Sequence, residues 1–192
     1  MEQINERKHC LGRRAVIAYA CGDTGCCFSV LIPKNATAEN PAPVIITCPG
    51  DSSSKENEMT NYLELVRRGF VVLAMNYSGN NETDVAVNDL TNGTSGMSAV
   101  VEYAMSLDCT DNSKVGLVAH SYGNGVACNT VNYMNQQTNN HISAWVLEGT
   151  VDYAFPESGW YEEKIMKDPQ GLFFGVLCSK YDEWDNWYDD AV

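Results

Sequence analysis

VGLVAHSYGNGVAC (115–128) runs from an apolar stretch through a histidine and a serine into three glycine or alanine positions. Two chemistries fit such a stretch: a serine held on a sharp strand-to-helix turn, or a glycine loop under a phosphate. For the phosphate reading, Gly123 and Gly125 make G-x-G at a helix start, and Glu148 ends the next apolar run at a distance suited to a ribose. Against it, Cys128 takes the third glycine position, where helix and strand approach most closely. His120, Ser121 and Tyr122 also lengthen the turn before the first glycine, and no P-loop lysine motif stands in for it. The serine reading uses every residue. A nucleophile elbow strains the backbone of its central residue and needs small neighbours two before and two after, which Ala119 and Gly123 supply as A-x-S-x-G. Gly125 and Ala127 then allow the following helix to lie close to the strand.

A match of this kind arises by chance in roughly one in five chains of this length, so context decides. Working outward, "AVIAYA" and "CCFSVLI" flank the turn formers of "CGDTG", which predicts an antiparallel hairpin over 15–32. "PKNATAENPAP" breaks the pattern with three prolines. After it, apolar runs alternate with helix-length segments: strands "PVIITC", "FVVLAMN", "KVGLVA", "SAWVLE" and "LFFGVLC", and helices over 54–68, 95–107 and 122–134. Runs apolar on both faces and separated by helices predict a parallel sheet covered on both sides. In the first helix Ser54 is the expected N-cap, with Met59, Tyr62, Leu63 and Val66 on one face and Gly69 as the stop. Most of these apolar stripes are core and nothing more.

The 192 residues suffice for one domain with a single core. Twelve Lys and Arg against 25 Asp and Glu give a net charge of −13, and this field repels phosphate backbones, so nucleic acid is not an expected partner. The N-terminus has no apolar run of signal-peptide or membrane-span length, and the chain reads as cytoplasmic with no membrane segment. Of eight cysteines, Cys48, Cys109, Cys128 and Cys178 sit in or beside apolar segments, and reduced, mostly buried thiols are expected. Cys21, Cys26 and Cys27 lack the matching downstream ligand pair that would make a metal site.

With these motifs in order, the chain resembles the α/β-hydrolase family, over nearly all of its length from Ala15 to Trp187. "PVIITCPG" is similar to the family's third strand and the turn after it, "RRGFVVLAMNYSGN" to the next helix end and strand, "VAHSYG" to the elbow, and "LCSKYDEW" to the strand whose end carries the catalytic acid. The closest pattern is that of bacterial esterase-like and dienelactone-hydrolase-like members. The resemblance implies a three-layer α/β fold, a mainly parallel core over 43–187 with an N-terminal antiparallel hairpin. It implies Ser121 as nucleophile, the backbone N–H groups of Tyr122 and Asp51 as oxyanion hole, and Asp182 as the acid, with Glu183 and Asp185 as alternatives. Pro49 replaces the family's usual histidine before glycine. The implied chemistry is an acyl-enzyme mechanism on a small-molecule acyl substrate, with no metal or organic cofactor.

A serine hydroxyl is a weak nucleophile until a base takes its proton. The chain has three histidines. His120 precedes the serine on the elbow, His141 lies before "SAWVLE" at the opposite edge of the expected sheet, and His9 precedes the hairpin. None is placed as a base, and the family order puts the catalytic His after a further helix and strand, so the fold is expected to be C-terminally incomplete and the chain as given to be a poor esterase for want of a base. The alternative is a hydrolase-like domain that binds without catalysing. Tyr153, Phe155, Trp160 and Tyr161 either line an acyl pocket or pack beneath it.

Overall fold

The computed structural model describes residues 19–21, 27–50, 53–57, 59–76, 90–138, 141–149 and 172–177. The elements in order are β1 (Tyr19–Cys21), β2 (Cys27–Leu31), β3 (Ala42–Cys48), α1 (Met59–Arg67), β4 (Val71–Asn76), α2 (Leu90–Met105), β5 (Thr110–His120), α3 (Gly123–Gln137), β6 (Ala144–Glu148) and β7 (Phe173–Leu177). They form a seven-stranded sheet in the order β1-β2-β4-β3-β5-β6-β7. The β1–β2 and β2–β4 pairs are antiparallel, and all the others are parallel. The expected hairpin and the alternating βα series are both present.

Side chains alternate across the strands, so successive residues serve opposite layers. From β4, Val71 and Leu73 join the larger core, with Met97, Val100 and Val101 of α2, Val126 and Val131 of α3, and Trp145 and Leu147 of β6. Val72 and Ala74 point the other way and meet Leu31 and Tyr62 of α1. Helices therefore cover both faces, and Trp145, at 0% exposure, sits deep in the α2–α3 layer.

The predicted boundaries of the first helix need correction. Ser54 is not its N-cap: residues 53–57 form turns, closed by the Asn57 N–H on the Ser54 carbonyl (3.0 Å), and the helix starts at Met59. The Lys55 N–H donates instead to Asn76 Oδ1 at the end of β4 (2.8 Å), which ties this segment to the sheet rather than to a helical turn. Leu63 is 42% exposed, and Tyr62, Leu65 and Val66 make the buried face. The stop is as expected: Gly69 has φ +94, and the Phe70 N–H reaches back to the Leu65 carbonyl (3.2 Å).

Two other boundaries moved outward. The second helix begins at Leu90 rather than at residue 95, despite the turn-like "TNGTSG" in its first turns. At the start of β5, the register jumps from Ala42↔Thr110 to Val44↔Val115, so the polar residues 111–114 bulge out of the ladder. Asp111 holds the bulge, accepting from the Ser113 N–H (3.0 Å), the Ser113 hydroxyl (2.6 Å) and Lys114 Nζ (2.7 Å). Among the described residues no helix is long and apolar enough to cross a membrane.

Candidate active site

Strand β5 ends at His120 and α3 begins at Gly123, leaving two residues to reverse the chain. Ser121 absorbs the reversal with φ +51, and it is the one non-glycine residue with positive φ among those described. That conformation costs a side-chain-bearing residue of order 1–3 kcal/mol, so it persists only where surrounding bonds impose it. They do so on both sides of the residue. The Ser121 N–H donates to the Glu148 carbonyl (2.9 Å), and the Ser121 carbonyl accepts the Asn124 N–H (2.9 Å). Tyr122 follows as the N-cap of α3 with helical backbone and no side-chain cap, and its carbonyl accepts the Gly125 N–H (3.1 Å).

The small neighbours have steric reasons. Ala119 is fully buried next to Cys48 in the parallel ladder. At Gly123 a β-carbon would stand 2.6 Å from the Pro49 carbonyl oxygen and 2.8 Å from that of Cys48, closer than atoms pack. Gly50 is buried against the elbow: a β-carbon there would lie 2.9 Å from His120 Nδ1 and 3.2 Å from Ser121 Cβ. The Pro49–Gly50 turn therefore lies beside the serine at the C-terminal end of the parallel strands, the edge where open α/β sheets bind ligands. Asp51, whose N–H the family resemblance implies as part of the oxyanion hole, lies outside the described residues. So do Asp182, Glu183, Asp185, His9 and the aromatic residues 153, 155, 160 and 161.

Of the histidines, His120 is exposed at this edge, its ring flanked by Gly50 and by Gly149, where a β-carbon would stand 3.3 Å from Nε2. His141 precedes β6, at the opposite end of the parallel strands from Ser121. Three polar side chains at this edge were not singled out in the sequence. Lys55 is 1% exposed, with Nζ 2.7 Å from the half-exposed Glu56 carboxylate. Burial pushes the Glu56 carboxyl up, but the hydrogen bond from Lys55, the backbone N–H of Glu56 and the Lys55 charge outweigh it and hold it below its ordinary value. Asn76 is fully buried and anchors the Lys55 backbone. Asn124, also fully buried, donates Nδ2 to the Glu148 carbonyl (3.1 Å). No periodicity marks Lys55 or Asn124, because each is a single polar residue inside a turn or a first helical turn.

A mainly parallel sheet between helix layers, with a serine on a positive-φ turn between β5 and α3, defines a serine-elbow α/β protein. Its strand order is not the 3-2-1-4-5-6 of the dinucleotide-binding fold with which the phosphate-loop reading began. The fold is that of the α/β-hydrolases. It is similar to a sugar hydrolase (YeeB) from Lactococcus lactis, with TM-score 0.69 and 17% identity over 91% of this chain and 75% of that one. It is also similar to Thermogutta terrifontis esterase 2 phosphonylated by sarin (TM-score 0.61, 15% identity, 86% and 72%). A third similar structure is Est1E from Butyrivibrio proteoclasticus with ferulic acid bound (TM-score 0.57, 20% identity, 69% and 52%). The chain thus spans about half the length of Est1E, and 38% of AbyA5. Neither a protein-family model nor a curated protein matches the sequence.

Proposed function

We propose that this chain is a serine hydrolase that acts on a carboxylic ester or related acyl bond of a small molecule through Ser121. The observation that carries the reading is the positive φ of Ser121 between β5 and α3, a strain that a purely structural serine has no reason to hold. The folds of Est1E and the Thermogutta esterase support it by analogy.

Ser121 Oγ attacks the acyl carbon as its proton passes to a base, and the carbonyl oxygen becomes a tetrahedral oxyanion. The Tyr122 N–H, at the N-terminus of α3 where the helix dipole is positive, and the Asp51 N–H, just after the Pro49–Gly50 turn, stabilise that charge. The intermediate collapses with loss of the protonated leaving group, and water then releases the acid from the acyl-enzyme. Asp182, just beyond β7, orients the base, with Glu183 and Asp185 as alternative acids. His141 is at the wrong edge of the sheet for the base, while His120 is at the right edge.

The test is hydrolysis of p-nitrophenyl acetate and covalent labelling by a fluorophosphonate, each with the unaltered chain and with Ser121→Ala. In labelling, Ser121 Oγ bonds to phosphorus, fluoride leaves and the serine proton is released. Turnover is expected to be small for want of a base, so labelling decides: labelling that disappears in Ser121→Ala is expected, and identical labelling of the two proteins overturns the reading. His9→Ala, His120→Ala and His141→Ala then assign the base: loss in one names it. Equal residual rates in all three place the base outside these histidines and leave the oxyanion hole and binding, about 10³ to 10⁴ over water in a characterised serine protease.

A further inference from the structure

Asn124 closes a hydrogen-bonded ring around the proposed nucleophile. Its backbone N–H donates to the Ser121 carbonyl (2.9 Å), and its side-chain Nδ2 donates to the Glu148 carbonyl (3.1 Å), the same oxygen that receives the Ser121 N–H (2.9 Å). The two peptide groups of Ser121 are thus held, one directly and one through a shared acceptor, by a single residue. The residue after β6, Gly149, donates its N–H to the Leu177 carbonyl at the end of β7 (3.0 Å), so the clamped peptide also touches the strand that leads to Asp182.

The cost of this arrangement is visible in the same side chain. A carbonyl oxygen only accepts, so Nδ2 must face Glu148, and Oδ1 is left with no hydrogen-bond partner although Asn124 is 0% exposed. Buried acceptors are nearly always paired, and an orphan at a functional site calls for a compensating role. At the second position of a helix, alanine would avoid the orphan and favour the helix. What alanine lacks is the donor that reaches Glu148.

We infer that Asn124 is a positioning residue for Ser121: its amide donor pins the Glu148 carbonyl and through it fixes the strained backbone that presents Oγ. The inference rests on the reading of Ser121 as nucleophile only for its consequence in rate, not for its structural content. In chemical terms it makes Asn124 part of the preorganisation of the attack, acting through Ser121 and touching no substrate.

The experiment compares the unaltered chain with Asn124→Ala and Asn124→Gly in three measurements: thermal melting, amide hydrogen exchange at Ser121, and the rate of fluorophosphonate labelling. The expected result separates stability from reactivity. Melting stays within about 2 °C because the orphan acceptor is gone, while exchange at Ser121 rises about ten-fold and labelling falls about ten-fold or more. A purely structural asparagine would lower melting and labelling together, and that outcome overturns the inference, as does exchange and labelling within about two-fold of the unaltered chain. If the unaltered chain is not labelled at all, the proposed hydrolase function fails, and exchange at Ser121 alone decides the role of Asn124.

Discussion

A β-carbon on Gly123 would stand 2.6 Å from the carbonyl oxygen of Pro49, so the first residue of α3 and the turn after β3 are in direct backbone contact. That contact brings the Pro49–Gly50 turn against Ser121. Because the obstruction is backbone and not the end of a flexible side chain, Gly123→Ala can be accommodated only by moving one segment away from the other. We expect a loss of about 1–3 kcal/mol in stability, typical of overpacking. Labelling at Ser121 should fall further than that loss explains. Urea denaturation together with labelling rates would check both.

Ser121 holds φ +51 against the preference of a residue with a β-carbon. Glycine accepts this conformation freely but loses more entropy on folding. Ser121→Gly should therefore gain stability by up to about 1 kcal/mol, raising the melting temperature by about 2–4 °C in a chain of this size. Ser121→Ala, which keeps the strain, should show no such gain. Differential scanning calorimetry of the pair measures the difference, and a destabilised Ser121→Gly would show that the turn is not strained.

Lys55 is buried at 1% exposure while its partner Glu56 is 46% exposed. When the lysine is replaced, Glu56 can return to water, so the charge left behind costs little. Lys55→Met fills the same volume and should stay within about 1 kcal/mol of the unaltered chain. Lys55→Ala opens a cavity and should cost about 2–4 kcal/mol. Chemical denaturation of both variants tests whether packing or the ion pair dominates, and equal losses would favour the ion pair.

Hydrogen bonds from Lys114 and Ser113 hold the Asp111 carboxyl well below the ordinary carboxylate value, down to about 2. A depressed carboxylate stabilises the fold above its unfolded pKa and loses that contribution as pH falls through the folded value. The melting-temperature gap between the unaltered chain and Asp111→Asn should hold steady above about pH 4 and close as pH falls toward about 2. A gap that does not change with pH would mean that Asp111 acts through its shape alone.

Much of the fold was legible because its signals are local. The strands of β3, β4, β5 and β6 are apolar runs bounded by turn formers, and the elbow is five consecutive residues. Gly69 ends α1 where it was expected, since a helix stop depends on one φ angle and the bonds around it. Ser54 does not cap α1 because the first N–H after it is used elsewhere: Asn76, 21 residues away, takes the Lys55 N–H. Leu63, which the helical spacing puts on the same face, is exposed, because the sheet lies against Tyr62 and Leu65.

The sequence by itself determined the α/β class, the strand–serine–helix order and the small residues around Ser121, since each follows from periodicity or from sterics within a few bonds. Only the tertiary structure decided what those small residues are for and what holds the serine in place. Gly123 faces Pro49, His120 lies between Gly50 and Gly149, and Asn124 shares the Glu148 carbonyl with Ser121, all contacts between the ends of neighbouring strands and the turns and helix that follow them. The physical reason is that a parallel sheet brings together residues far apart in the chain, and no local pattern records which carbonyl will meet which donor.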